Sequence, residues 1–213
     1  MKEHYFKETS IDKIAAKMLS DLKKKVKVHE LKYIPEESAL LVLDMQKYFI
    51  DKTSHAFVPG AEAVVKNINK LLNYYSEKKY TVVFTRHLNN ELDAGLMGKW
   101  WKELITVENP LVEITEKLDT TKGIIINKSQ YDAFYKTELK KFLAEKNIKQ
   151  LVITGVMTHL CCETTARSGF VNGFDVFFTI DGTATYNINY HYASLLNLAH
   201  GFAVPVLVKQ LIR

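Results

Sequence analysis

The sequence predicts a single α/β domain: a mostly parallel, six-stranded sheet with helices on both faces, preceded by one extra helix. Three observations lead there. From residue 38 onward, six short apolar runs rich in Val, Ile and Phe alternate with longer amphipathic stretches, the pattern of strands joined by crossover helices. Residues 9–28 carry a helical apolar spacing of their own. A chain of 213 residues with 47% hydrophobic and 25% charged side chains, nine Gly and four Pro suits one domain with a substantial core and no low-complexity tract.

Ile11, Ile14, Ala15, Met18, Leu19, Leu22 and Val26 recur at helical spacing, and Thr9 with Asp12 forms a start signal of the capping-box kind. The apolar stripe of this helix must be covered by the body of the protein or by another subunit. Residues 1–35 are thus read as a helix and linker, and 36–213 as the main domain. Within it, 39–44, 80–85, 123–127, 151–155, 176–180 and 204–208 read as buried strands. Stretches 60–79, 136–147, 162–172 and 189–202 read as helices, and 87–121 as a long excursion with short helices. Right-handed crossovers follow from the alternation.

Net charge is +5, and the first 33 residues, with nine Lys against five acidic side chains, hold most of it. Lys23, Lys24, Lys25 and Lys27 make one short cluster, which is a solvated helix end rather than the spread basic face that nucleic acid requires. The N-terminus lacks the apolar core of a signal peptide, and no run approaches the roughly 18 apolar residues of a membrane span. A soluble, cytoplasmic protein with a small-molecule substrate, and neither nucleic acid nor membrane as partner, is expected. The two cysteines, Cys161 and Cys162, are adjacent. Neighbours rarely pair with each other, and two sulfurs without clustered ligands do not make a structural zinc site. A buried thiol, a reactive thiol, or one of each remains.

In an open parallel sheet the ligand lies beyond the carboxyl ends of the strands. Those ends carry Asp44, Arg86 with His87, Lys128, the turn 155–161, and Asp181. Each has a plain explanation alone: Asp44 as a cap or ion-pair partner, Lys128 as a surface lysine, Asp181 before Gly182 as a turn. Together they suit nucleophilic catalysis. Cys161 falls at a predicted helix start, where free N–H groups, the helix dipole and a nearby lysine lower a thiol pKa. The same turn offers backbone donors for an oxyanion, and a neighbouring carboxylate can shuttle the proton.

ALLVLDMQKYF around Asp44, NKSQYDAF around Lys128 and GVMTHLCCETTARSGF around Cys161 resemble, in order and spacing, the three signature segments of isochorismatase-like hydrolases. DAGLMGKWW and DGTATYNINYHYASLLNLAHGFA are similar to further segments of that family, so the likeness runs from about residue 36 to 208. It implies a three-layer α-β-α fold and a catalytic triad of Asp44, Lys128 and Cys161. It also implies an oxyanion hole from the backbone N–H groups of Met157 and Cys161, a cis peptide between Val156 and Met157, and assembly into dimers or tetramers.

The family divides at position 161. Its amidohydrolases carry the nucleophilic cysteine there, as this chain does, whereas isochorismatases commonly have glycine. The resemblance therefore implies hydrolysis of the C–N bond of a small amide or ureido compound through a thioacyl enzyme. Two alternatives stand beside it: vinyl-ether hydrolysis with Asp44 as acid, and a non-catalytic ligand-binding or thiol redox protein. Metal-holding nicotinamidases have an Asp-x-His pair and further histidines after the second strand. Here TRHLNNELDAG has His87 alone, so neither a metal nor another cofactor is expected and nicotinamidase is disfavoured. Phe49, His87, Trp100, Trp101 and Tyr131 are the candidate pocket residues, and Cys162, one position round the helix, is expected to pack inward.

Overall fold

The computed structural model describes residues 1–212. Helix α1 (Ile11–Lys25) is followed by β1 (Ser38–Leu43), a short α2 (Lys47–Ile50), α3 (Ala61–Glu77) and β2 (Thr81–His87). A long excursion containing α4 (Met97–Trp100) and a 3-10 turn (Thr120–Lys122) leads to β3 (Ile124–Lys128). Then come α5 (Leu139–Glu145), β4 (Gln150–Val156), a π-helical turn (Thr158–Cys162) running into α6 (Glu163–Val171), β5 (Asp175–Ala184), α7 (Ile188–Gly201) and β6 (Val204–Val206). The six strands are parallel, in the order β3-β2-β1-β4-β5-β6, and helices flank the sheet to give three layers. The order reverses between β1 and β4, and a ligand crevice opens at such a switch point.

The central strands β1 and β4 are buried along their whole length, as continuous apolar runs require. The edge strand β3 departs from the expected burial, because Ile124 and Ile125 are exposed where only β2 flanks it. Helix α1 begins two residues later than its spacing suggests, with Ser10 as N-cap and no side-chain cap bond, so the Thr9–Asp12 signal is not used. Its Ile11, Ala15, Met18, Leu19 and Leu22 join the main core, packing toward β5 and α7 of the same chain. The stripe is therefore covered internally and gives no argument for association. No helix among the described residues is long and apolar enough to cross a membrane.

Strand β5 runs past residue 180 because its register against β4 shifts between Ile153 and Gly155, leaving the stretch 179–182 bulged. The bulge moves Asp181 away from the strand ends. Its carboxylate accepts from the Val208 N–H at 2.8 Å and faces Asn67 beneath α3, so Asp181 is no part of the crevice. On β4, Gly155 has φ +108°, and a Cβ there would lie 2.0 Å from the Leu43 carbonyl oxygen. Only glycine lets β4 pass this close to the residue before Asp44. Gly155→Ala is expected to cost at least ~3 kcal/mol by combining positive φ with a backbone clash; a thermal melt near that of the wild type would contradict it.

Candidate active site

The crevice is built from three strand ends and one turn. Asp44 follows β1 in a left-handed backbone conformation, φ 49°, which aims its side chain across the end of the sheet. Lys128 closes β3, paired in register with His87 of β2. Cys161 lies in the π-helical turn after β4, with the cis peptide Val156–Met157 just before it. Alternation along β2 sends Thr85 and His87 inward. Arg86 points the other way to Asn127 and Glu113, outside the crevice.

Lys128 Nζ is 2.7 Å from Asp44 Oδ2, and neither side chain is exposed. Thr85 Oγ1 donates to Asp44 Oδ1 at 2.6 Å. A carboxylate oxygen has two lone pairs, so Oδ2, paired with the ammonium, keeps one for the Cys161 thiol. Lys128 Nζ also donates to the Gln130 carbonyl at 2.9 Å and stands 3.4 Å from both Cys161 Sγ and His87 Nδ1.

Burial alone would raise the Asp44 pKa, but the Lys128 charge reverses it and holds the carboxyl below its ordinary range. Burial likewise pulls on Lys128, and Asp44 overcomes it to keep the ammonium firmly protonated. Cys161 goes the opposite way from the expectation of a thiolate. Burial and the Asp44 carboxylate outweigh Lys128 and push its pKa up to about 12. The resting site thus holds a carboxylate, an ammonium and a neutral thiol. The helix-start argument is outweighed because Cys161 is enclosed and faces the Asp44 carboxylate.

His87 Nε2 pairs with Asn89 Oδ1 at 2.8 Å, so Nε2 carries the proton and Nδ1 faces Lys128. Burial and Lys128 lower the His87 pKa to about 4. Donor atoms of Asp44, His87 and Cys161 lie within 4.8 Å of one another, but the Lys128 ammonium stands among them. A cluster already holding a full positive charge does not fit a divalent cation.

Cys161 borders a pocket of about 150 Å³ lined also by Phe49, His87, Trp101, Tyr131 and Met157 among others, with Asp44 and Lys128 behind it. Trp101 Nε1 donates to Tyr131 Oη at 2.6 Å. Trp100 is 77% exposed and outside the lining, because the last turn of α4 turns it to solvent. Cys162 is fully buried with Sγ 3.9 Å from the Thr154 carbonyl. The Met157 N–H has no hydrogen-bond partner among the described residues. Sequence reasoning missed Asn89, Gln46 and the mouth residues Tyr48, His55, Glu103 and Tyr186. Asn89 was accessible from its period-2 spacing to His87. Gln46 clamps β2 to the excursion, accepting from the His87 N–H and donating to the carbonyls of His87 and Val112. Tyr48 donates to Glu103 at 2.9 Å, a meeting of residues 55 positions apart that no local pattern signals.

Residues 38–210 match the family model described as the Isochorismatase domain. The chain belongs to the isochorismatase family. It is 36% identical over 174 residues to Nicotinamidase 3 of Arabidopsis thaliana, covering 79% of this chain and 84% of that one. It is 31% identical to the Isochorismatase of Bacillus subtilis (strain 168), covering 84% of this chain but 58% of that longer protein. Its fold superposes on a cysteine hydrolase from Pseudomonas syringae pv. phaseolicola 1448A with a TM-score of 0.83 at 25% identity, over 87% of this chain and 95% of that one. This isochorismatase-like protein is a hydrolase, with the α/β fold of its family.

Asp44→Asn removes the anion that opposes the thiolate while leaving Lys128, so Cys161 should be alkylated faster by iodoacetamide at pH 7 than in the wild type. Lys128→Met should slow it; equal rates in all three proteins would refute the assignment of charges. Separately, His87 and His191 are buried neutral, with pKa values lowered by burial to about 4 and about 3. Below about pH 6.5 the unfolded chain binds protons that the folded one refuses, so stability falls as pH drops from 6.5 toward 4. Urea midpoints at pH 7.5, 5.5 and 4.5 should decrease in that order.

Proposed function

We propose that this isochorismatase-like hydrolase cleaves the C–N bond of a small amide or ureido compound through a thioacyl intermediate on Cys161. The observation that carries the reading is a cysteine thiol at the floor of a compact pocket, in contact with a buried carboxylate–ammonium pair. Asp44 Oδ2 takes the thiol proton as Sγ attacks the carbonyl carbon, and the negative charge moves to the carbonyl oxygen. The backbone N–H groups of Met157 and Cys161 receive that oxyanion. Asp44 then returns the proton to the nitrogen, which leaves as ammonia or an amine. Water, deprotonated by Asp44, attacks the thioester; the acid departs and the proton goes back to sulfur. Lys128 keeps Asp44 ionised between steps.

The pocket volume of about 150 Å³ is that of a cavity that accepts a single benzene-sized ring, and its wall of Phe49, Met97, Trp101, Ile105, Tyr131 and Leu160 favours an apolar acyl group. The 36% identity to a plant nicotinamidase returns nicotinamide to the amides worth testing. Kinship with isochorismatase supports ether hydrolysis less well. That reaction needs Asp44 protonated as an acid, and Lys128 holds it ionised.

The test is turnover of nicotinamide, simple aromatic amides, ureido acids and isochorismate, with acid-quenched mass spectrometry of the Cys161 peptide. Cys161→Ser and Asp44→Asn should each lower amide turnover by at least about a thousandfold, and the wild type should show an acyl adduct on Cys161. Isochorismate turnover that survives Cys161→Ser, with no adduct, would replace the reading with acid-catalysed ether cleavage.

A further inference from the structure

The first six residues precede the matched family domain and take no part in the chemistry above, yet they are fastened to the site at several points. The Glu3 N–H donates to the Tyr186 carbonyl at 2.7 Å, and the Glu3 carboxylate accepts from the Ile188 N–H. Lys2 Nζ donates to the His55 carbonyl and lies 4.7 Å from the centre of the Tyr186 ring. His55 and Tyr186 both line the pocket, from loops 131 positions apart in the chain. The segment ties these two walls together.

Tyr5 reaches deeper. Its hydroxyl oxygen accepts from the Thr185 N–H at 2.9 Å, which leaves its own proton directed at His191 Nδ1, 3.1 Å away. The same nitrogen is 3.0 Å from Thr158 Oγ1. Thr158 opens the turn that carries Cys161 and directly follows Met157. His191 and Thr158 are fully buried, and Phe6 packs edge-on against the imidazole at 5.2 Å. With the Tyr5 proton directed at it, Nδ1 is an acceptor whose one lone pair is shared by the Tyr5 and Thr158 hydroxyls, and it thus couples the amino-terminal segment to the turn on which the oxyanion would be held.

We propose that Tyr5 is a positioning residue, acting through His191 and Thr158 to fix the turn that presents the Met157 N–H and Cys161. The acyl-transfer part of this inference rests on the function proposed above; the structural part does not. Tyr5→Phe suits the test because it keeps the ring contacts with Phe6 and His191 and removes only the hydroxyl. Two reactions of Cys161 are compared in the full-length protein. Acylation by p-nitrophenyl acetate builds charge on a carbonyl oxygen and needs the turn in place. Alkylation by iodoacetamide, in which sulfur displaces iodide from carbon, does not.

In Tyr5→Phe, acylation should fall about tenfold to a hundredfold, the scale of a reacting group displaced by a fraction of an ångström to an ångström, while alkylation stays within about twofold. Amide hydrogen exchange over 157–162 should quicken with little change over α3. Unchanged acylation, or a parallel fall in both reactions, overturns the proposal. Should wild-type Cys161 resist acylation altogether, the proposed hydrolysis fails, and exchange alone decides the role of Tyr5: unchanged protection of 157–162 overturns it.

Discussion

The Lys128–Asp44 ion pair is the constraint around which the site is organised. Either charge alone, fully buried, would be strongly destabilising, and removing one partner of such a pair typically costs about 3–5 kcal/mol. The two residues sit at the ends of β3 and β1, which are not neighbours, since β2 lies between them. The pair therefore spans the end of β2, with Thr85 holding one carboxylate oxygen and His87 flanking the ammonium. Three parallel strands are locked at one end by one charge contact. Gln46, sealing β2 against the excursion, finishes the enclosure that keeps water from screening it.

This arrangement decides the character of the thiol. A cysteine beside a lysine in open solvent would be a thiolate and vulnerable to any oxidant. Here the carboxylate both raises the Cys161 pKa and offers the acceptor for its proton. In the proposed acyl transfer the thiol proton passes to Asp44 as the charge passes on to a bound carbonyl.

Much of this was legible in the sequence, because β1 and β4 are continuous apolar runs whose last residues announce the strand ends, and because Asp44, Lys128 and Cys161 stand in segments with strong family character. What escaped did so for identifiable reasons. Asp181 looked like a strand-end residue, but the β5 bulge is a register event that apolar patterning cannot express. Trp100 and Trp101 are equivalent in sequence, and only the direction of a four-residue helix separates the one in solvent from the one bonded to Tyr131. The Cys161 pKa shifts opposite to the helix-start expectation because a helix terminus can be read from a pattern, whereas complete burial of the thiol, the largest cause of the shift, cannot. The contacts of the first six residues are equally non-local.

The choice of lysine as third partner follows from charge conservation in a dry site. At rest, Asp44 and Lys128 cancel and the thiol is neutral. In the tetrahedral state of the proposed cycle Asp44 is protonated, and the oxyanion takes over as the counter-charge of Lys128. In the thioacyl state Asp44 is ionised again and the thioester is neutral. The sum is zero at every stage, so no step requires moving net charge into a medium that solvates it poorly. A histidine in place of Lys128 would break the sequence, because burial lowers an imidazole's pKa, as His87 illustrates at about 4. The positive charge would then be lost and Asp44 left uncompensated. Only a group that stays cationic when buried beside a carboxylate can hold the balance, and Lys128 is held there by Asp44, Gln130 and the end of β3.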